Sequence, residues 1–350
     1  MNIFVIDNAS GGLSYDIRWQ LVCDELRTLE NVESVTFIKG HRNKDYMFSN
    51  FYSASTLSTN MVHHLRNYAK KGSVFIFPNA RDPLTITLKE YSEAFDLDFK
   101  LIGFWNDGSF YQHGDLRTKL RGKNYDWSDR FERSLVACYD YNLVTVESKL
   151  HTFRRIYSGR WQNKIMFCPL PFSSVVDNIR KSVADYDIVK EDLIVMNTTP
   201  DSTHDIKLFE ALQKEFTSFA FINLYQANLS PAEYRKVLAR AKILFSINQA
   251  DSDPYYVLES MVLGCIPILP DIPIYAELYN SKWLYPNKLT RPPYINFIRE
   301  GEIIREKIWN IQENYVNLNI AEETEKIIER HFSSDTFKQI IKNLAECKKT

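Results

Sequence analysis

Glycine, cysteine and long apolar runs are all scarce in this sequence. Only 11 of the 350 residues are glycine, so two adjacent glycines carry more local information than usual. The five cysteines are scattered, odd in number and without a CxxC spacing, which excludes a disulfide framework or zinc ribbon and favours a reduced compartment. No run of about 18 apolar residues occurs, so we expect no transmembrane helix.

An excess of charge of one sign is also missing. The formal net charge is −1, which argues against a globally basic nucleic-acid binder but not against a local basic patch. The opening stretch MNIFVIDNASGG lacks the basic start, apolar core and cleavage site of a signal peptide, so we expect a cytoplasmic protein. Hydrophobic residues make up 45% and charged residues 25%, which is typical of a globular chain with room for two domains.

Short apolar strands alternate with helical segments along the whole chain, and this alternation predicts parallel sheets covered by helices on both faces. Strands are predicted at residues 3–6, 35–38, 74–77, 101–105, 143–146 and 165–167, and then at 193–196, 220–222, 243–247 and 266–269. Helices are predicted at residues 15–28, 61–71, 206–214 and 231–241.

The alternation restarts after CPLPFSSVVDN (168–178), which is interpreted as a linker. We therefore predict an α/β chain of two Rossmann-like domains: 1–170 on the acceptor side, 171–300 for the nucleotide, and helices at 301–350 that pack back toward the first domain. Open parallel sheets bind ligands at the carboxyl ends of their strands, so the residues that follow strands are the candidates for a site.

Two loops after strands of the first half contain such candidates. Gly11 and Gly12 would let backbone N–H groups approach a phosphate or sugar, or they form only a tight turn. Asp107, His113 and Asp115 crowd one loop and are candidates for acid–base or charge-stabilising chemistry. The alternative there is a plain Asp-Gly turn with a surface histidine.

A basic and aromatic segment follows that loop, and it is of the kind that holds a phosphate backbone. The alternative is a solvated charged loop whose cations are offset by Asp126, Asp129 and Glu132. Its candidate acceptor-binding residues are Arg117, Lys119, Arg121, Lys123, Tyr125 and Trp127.

In the second half, Thr198 and Thr199 follow the first strand and are candidate phosphate ligands, with Lys207 as a nearby cation; the alternative is an ordinary helix cap.

The stretch DSDPYYVLESMVLGCIPILP (251–270) predicts a helix with Asp253 as N-cap and Pro254 at the first helical position, ended by Gly264. Its apolar stripe is Val257, Leu258, Met261 and Val262. Packing does not account for Glu259 within that stripe, nor for Asp251 ahead of the helix.

This stretch resembles the donor-site segment of GT-B glycosyltransferases, above all the large retaining family that includes sucrose, lipopolysaccharide and glycogen-type transferases. Seven residues separate Asp251 from Glu259, and Ser260, Met261, Gly264 and Pro267 follow as in that family. The family has Glu where this chain has Asp251, and a glycine near the position of Pro254. Only Lys207 stands near the place of the family's Arg and Lys clamp.

The resemblance implies a GT-B fold with two sheets facing a cleft, and a metal-independent, retaining transferase that uses a nucleotide sugar, UDP-sugar favoured, without a cofactor. Glu259 would hold the ribose hydroxyls and Asp251 would contact the transferred sugar. Ser252, Pro254, Tyr255 and Tyr256 would line the donor site at the helix start.

Size and the basic segment also resemble the DNA glycosyltransferases of T-even-like phages, which implies hydroxymethylcytosine in DNA as acceptor and the host cytoplasm as location. Three alternatives stay open: a saccharide acceptor, a nucleotide-sugar epimerase, and a non-catalytic nucleotide-binding protein of the same fold. A nicotinamide-dependent dehydrogenase is disfavoured because no GxGxxG follows a strand.

Overall fold

The computed structural model divides into two compact units. One contains Met1–Ser174 and Ser333–Thr350, and the other contains Val175–Phe332. The structure describes residues 1–7, 13–39, 61, 63–65, 67–105, 108, 126–157, 159, 161–196, 203–248, 254–290 and 301–346.

The first unit is built on a six-stranded parallel sheet in the order β2-β1-β3-β4-β5-β6. β1 (NIFVID), β3 (VFIF) and β4 (KLIGF) are buried at every residue, as expected for strands covered on both faces. The strands are β1 (Asn2–Asp7), β2 (Ser34–Lys39), β3 (Val74–Phe77), β4 (Lys100–Phe104), β5 (Tyr141–Val144) and β6 (Ile165–Phe167).

Helices connect these strands, and the last helix of the chain joins the same unit. They are α1 (Leu13–Arg27), α2 (Leu84–Ala94), α3 (Asp126–Cys138), α4 (Glu147–Ile156), α5 (Ser173–Lys181), which runs across the division between the units, and α12 (Ser334–Glu346). α12 packs on α1, where Lys338 Nζ lies 3.2 Å from Glu25 Oε2. Phe337 of α12 is fully buried and its ring lies 6.4 Å from that of Phe104.

The second unit is built on a five-stranded parallel sheet in the order β11-β10-β9-β7-β8. Its strands are β7 (Glu191–Met196), β8 (Ala220–Asn223), β9 (Ala241–Phe245), β10 (Ile266–Pro270) and β11 (Leu284–Tyr285). Its helices are α6 (Thr203–Glu215), α7 (Pro231–Arg240), α8 (Tyr255–Val262), α9 (Pro273–Leu278), α10 (Glu302–Asn314) and α11 (Ile320–His331).

Each sheet contains a point where the direction of strand addition reverses. In the first sheet the chain adds β2 on one side of β1 and then β3 on the other; in the second it adds β8 beside β7 and then β9 on the opposite side. Ligands of open α/β sheets bind at the carboxyl ends of the strands that flank such a reversal. The topology therefore directs attention to the ends of β1, β3, β7 and β9.

The prediction of parallel α/β layers is confirmed, and all ten predicted strands are present with ends shifted by up to two residues. Two details are wrong. Residues 173–178 of the predicted linker belong to α5, whose buried Val175, Val176 and Ile179 give it an apolar side. The charged segment becomes helical from Asp126 onward, as the start of α3.

No helix in the described part of the chain is long and apolar enough to cross a membrane.

Candidate functional site

The carboxyl end of β9 and the start of α8 form the core of the candidate site in the second unit. β9 ends at Phe245, and Ser246 and Asn248 follow it. α8 begins at Tyr255, with Pro254 as its N-cap at φ −81° and ψ 37°. Pro254, predicted as the first helical residue, is instead the N-cap because its ψ is not helical, and the helix begins one residue later than predicted. The end of the helix is as predicted, with Gly264 at φ +86°.

Glu259 is the fifth residue of α8, and its side chain is 18% exposed beside the buried Leu258 and Ser260. Arg235 of α7 donates an Nε–H hydrogen bond to Glu259 Oε1 at 2.9 Å. The guanidinium is 23% exposed. The carboxylate that packing left unexplained is thus one half of an aligned, partly buried ion pair.

The meeting of Arg235 with Glu259 follows from chain handedness. Crossovers between parallel strands are right-handed, and β8–α7–β9 and β9–α8–β10 advance across the sheet in the same direction. α7 and α8 therefore lie on the same face. Arg235 is the fifth residue of α7, as Glu259 is of α8, so both side chains lie about one turn from the carboxyl edge of the sheet.

The Arg235–Glu259 pair is half closed: it forms one of the two parallel hydrogen bonds that a guanidinium and a carboxylate can make. In the described part of the chain, the bond between Nε and Oε1 is the only hydrogen bond or ion pair that either side chain makes. Glu259 Oε2 and the terminal nitrogens of Arg235 make no hydrogen bond or ion pair with the described residues. Tyr234 lies next to Arg235, and burial, with a smaller contribution from the Glu259 charge, raises its pKa well above the ordinary range. The Tyr234 phenol therefore stays protonated and does not add a second negative charge that could compete with Glu259 for Arg235.

A network of hydroxyl groups joins α8 to residues that lie at or after the ends of β9, β10 and β11. Tyr256 Oη lies 2.6 Å from Ser246 Oγ and 2.9 Å from Tyr275 Oη. Tyr285 donates to the Ser246 carbonyl at 2.7 Å and contacts Thr290 Oγ1 at 3.0 Å. This network fixes the residue that follows β9 and the first turn of α8 to each other.

Tyr255 has a different environment from Tyr256. Its side chain is 8% exposed, and its ring lies 5.7 Å from that of Phe332. Tyr255 therefore anchors the start of α8 to the apolar interior of the second unit, while Tyr256 joins the hydroxyl network. Any ligand contact by Tyr255 would come from its backbone.

The remaining predicted site residues do not take part in the described geometry. Trp127 lies in α3 and Lys207 in α6, and only their backbone is described. The others lie outside the described residues: Gly11, Gly12, Asp107, His113, Asp115, Arg117, Lys119, Arg121, Lys123, Tyr125, Thr198, Thr199, Asp251 and Ser252.

Arg81 in the first unit forms a second arginine–glutamate ion pair. Its Nε lies 2.9 Å from Oε1 of the fully buried Glu132, as an ion pair whose N–H is not aligned as a hydrogen bond. Its Nη2 donates to Ser128 Oγ at 3.2 Å. Tyr157 donates to Glu132 Oε2 at 3.0 Å. Both carboxylate oxygens are therefore engaged inside the protein.

Metal ligation has no support within the described ranges, where no three His, Cys, Asp or Glu side chains come together as a set of metal ligands.

Arg235 and the hydroxyl network were missed by sequence reasoning. Arg235 stands in an ordinary amphipathic helix, and nothing in SPAEYRKVLAR marks it as a ligand. The signal that could have found it is topological: two successive same-direction crossovers put the fifth residues of α7 and α8 side by side.

The chain matches no protein-family model and no curated protein sequence. It is similar to several solved structures over nearly its whole length. Sucrose-phosphate synthase from Thermosynechococcus elongatus superposes with a TM-score of 0.64 at 10% identity, with 98% of each chain covered. WaaG, a glycosyltransferase involved in lipopolysaccharide biosynthesis, gives 0.56 at 10% identity, with 99% of this chain and 100% of that one covered.

A UDP-N-acetylglucosamine 2-epimerase gives 0.55 at 10% identity, with 98% of this chain and 94% of that one covered. At such low identity these likenesses show the fold and not the reaction. The two parallel-sheet units are those of the GT-B fold, as the sequence predicted, and the chain is built like the glycosyltransferases that share it.

Proposed function

We propose that this protein is a glycosyltransferase that moves a sugar from a nucleoside diphosphate sugar, UDP-sugar favoured, to a hydroxyl acceptor. The observation that carries the proposal is Glu259. One oxygen of its carboxylate is bonded to Arg235, and the other has no partner among the described residues. The residue lies in the second turn of the helix that follows β9, and β9 flanks the point where the direction of strand addition reverses in the second sheet. A carboxylate oxygen that can accept hydrogen bonds at that place suits the ribose hydroxyls of a nucleotide.

The donor would lie across the end of β9. Glu259 Oε2 would accept a hydrogen bond from the ribose, and the backbone N–H groups at the start of α8 would face the diphosphate. Thr198, Thr199 and Lys207 would add polar contacts to the phosphates, and Asp251 and Ser252 would contact the sugar. The negative charge that develops on the leaving diphosphate would be stabilised by these donors and by cations rather than by a metal.

The reaction would proceed with retention at the anomeric carbon, as the resemblance at residues 251–267 implies. Asp107, His113 and Asp115 would act near the transferred sugar, as groups that orient it or stabilise charge. The acceptor proposed first is hydroxymethylcytosine in DNA, bound through the basic segment 117–127, with a saccharide as the competing acceptor. The basic composition of that segment supports a polyanion.

A nucleotide-sugar epimerase is the second candidate. The specific observation in its favour is the likeness to UDP-N-acetylglucosamine 2-epimerase over nearly the full length of both chains. An epimerase would use the same donor pocket and would need no acceptor.

The test is an incubation of the purified protein with UDP-, GDP- and ADP-sugars, with EDTA or with magnesium. Acceptor arms contain hydroxymethylcytosine DNA, unmodified cytosine DNA, a maltodextrin, or nothing. Released nucleotide is measured by chromatography, digested DNA by mass spectrometry, and the remaining nucleotide sugar by NMR. Glu259→Gln is the site variant, and Arg240→Ala, which breaks an exposed ion pair between α7 and Glu191 of β7, is the control.

A transferase releases nucleotide in an acceptor-dependent way, keeps its activity in EDTA, and loses most of it in Glu259→Gln but not in Arg240→Ala. Mass gain confined to the hydroxymethylated DNA supports the DNA acceptor, and gain confined to the maltodextrin replaces it. A new nucleotide-sugar isomer in the arm without acceptor establishes the epimerase instead. If no arm shows turnover or thermal stabilisation by any nucleotide sugar, the proposed function is wrong.

A further inference from the structure

Two arginine–glutamate pairs on helix α7 differ in how completely they are closed. Arg240 contacts both oxygens of Glu191, with Nε at 2.8 Å from Oε1 and Nη2 at 2.8 Å from Oε2. Arg235 uses Nε alone, on one oxygen of Glu259. A guanidinium presents five N–H donors, so four donors of Arg235 have no partner in the described part of the chain.

The half-closed pair is also the less exposed one. Arg235 and Glu259 are 23% and 18% exposed, against 48% and 45% for Arg240 and Glu191. A guanidinium and a carboxylate close into two parallel hydrogen bonds when nothing else constrains them. In this pair a single hydrogen bond forms, which leaves an acceptor, Oε2, beside a set of donors on the terminal nitrogens of Arg235.

A donor set beside an acceptor matches the chemistry of a vicinal cis-diol. A carboxylate alone accepts only, whereas each hydroxyl both donates and accepts. With Arg235 present, one hydroxyl of the diol can donate to Glu259 Oε2 while its neighbour accepts from an Arg235 terminal N–H. Both groups are charged, so both contacts are of the stronger kind.

We propose that Arg235 is a second ligand of the donor ribose, so that Arg235 and Glu259 together grip the 2′,3′-diol and select ribonucleotides over deoxyribonucleotides. This proposal rests on the proposed function, since it uses the same donor pocket. It adds a residue that the donor-site segment at 251–267 does not contain, and it assigns the nucleotide preference to the pair rather than to Glu259 alone.

The experiment measures binding by isothermal titration calorimetry and needs no turnover. UDP, GDP and ADP are compared first, and the tightest of the three is then compared with its 2′-deoxy and 3′-deoxy forms. Arg235→Met removes the donors but keeps an unbranched apolar stem, and Arg240→Ala is the control on the same helix. Thermal unfolding checks that each variant is folded.

Wild-type protein and Arg240→Ala are expected to bind the ribonucleotide at least about tenfold more tightly than one of the deoxy forms, the size expected of a hydrogen bond to a charged group. Arg235→Met is expected to bind the ribonucleotide about tenfold more weakly and to lose most of that preference. If Arg235→Met does not fold, Arg235→Lys is used, whose single ammonium cannot reproduce the planar fork and should show a reduced preference.

An unchanged ribose preference in the folded Arg235 variant overturns the inference and makes the pair an ordinary ion pair. If Glu259→Gln loses nucleotide affinity in the same calorimetric titrations, the proposed donor site still stands. Failure of the wild-type protein to bind any of the three diphosphates overturns both proposals together.

Discussion

The two units each hold an arginine–glutamate pair with an Nε–Oε1 distance of 2.9 Å, and the two pairs differ in how completely the protein encloses them. In the first unit, Glu132 is fully buried, and Arg81 and Tyr157 occupy its two oxygens. In the second, Glu259 is partly exposed and keeps Oε2 without a hydrogen-bond partner in the described chain. Equal distances therefore hide a difference in burial and in the number of carboxylate oxygens that the described residues engage.

The first pair should control stability and the second binding. A buried ion that loses its partner is left with the full cost of its desolvation, whereas a partly exposed ion recovers water when its partner is removed. The following substitutions test that contrast, beginning with the largest expected loss.

Removing the partner of Glu132 should have the largest effect on folding. Arg81→Met leaves the fully buried Glu132 carboxylate without its counterion, and we expect a loss of about 3–5 kcal/mol in the free energy of unfolding. Urea unfolding followed by tryptophan fluorescence and circular dichroism measures it. The matched control is Glu191→Ala, which breaks an exposed pair and should leave the midpoint nearly unchanged. Equal effects of the two substitutions would contradict the assignment.

A left-handed glycine in each unit offers a second contrast. A Cβ on Gly264 (φ +86°) would meet Lys190 Cε at 2.9 Å and Tyr315 Oη at 3.3 Å, whereas a Cβ on Gly72 (φ +79°) would meet nothing within 4 Å. The left-handed conformation costs an alanine about 1–2 kcal/mol at either site. We expect Gly264→Ala to cost more than about 2 kcal/mol, because overlap adds to that strain.

Lys190 explains why that overlap cannot relax easily. Its ammonium donates to the carbonyls of Ala241 at 2.6 Å and Leu263 at 2.8 Å, and burial lowers its pKa. Thermal unfolding of the two alanine variants gives the comparison. A Gly72→Ala loss as large as that of Gly264→Ala would show that the backbone conformation, and not Lys190, sets the cost.

The hydroxyl network that joins α8 to the strand ends should contribute less to the free energy of unfolding. Tyr285→Phe leaves the buried Ser246 carbonyl without its 2.7 Å donor, and an unsatisfied buried acceptor costs about 1–2 kcal/mol. Tyr225→Phe alters a tyrosine that is 54% exposed and is the control, with no measurable loss expected. Urea titrations of both variants decide the point; indistinguishable midpoints would mean that water replaces the lost donor.

The smallest stability effect should come from the proposed binding residue itself. Glu259→Ala breaks a partly exposed pair and is expected to change the free energy of unfolding by less than about 1 kcal/mol. Calorimetric titration with UDP, GDP and ADP should show that the same variant has lost nucleotide affinity. A large loss of stability without a loss of affinity would reverse the roles assigned to the two pairs.

The strands were predictable from sequence because a parallel sheet covered on both faces requires continuous apolar runs, such as FVI in β1 and FIF in β3. β11 was missed because its two residues, Leu284 and Tyr285, are too few to make a pattern. The linker prediction failed at α5 because its prolines and serines precede an amphipathic run that local composition hid.

The site was only partly predictable, for a physical reason. Glu259 can be singled out from the local sequence, because it is a carboxylate within an apolar stripe. Arg235 and Tyr285 acquire their roles only through contacts with residues 24 and 39 positions away. Such long-range pairs depend on strand order and crossover handedness, which no local window contains.

The return of α12 to the first unit affects how the chain folds as it is synthesised. The second unit is one continuous segment, Val175–Phe332, whereas the first lacks α12 until after that segment has been made. At about 5–20 residues per second, translation of the intervening segment takes roughly ten to thirty seconds. During that interval the apolar surface that will receive Phe337 stays uncovered on the nascent chain, so the first unit to be started is the last to be finished.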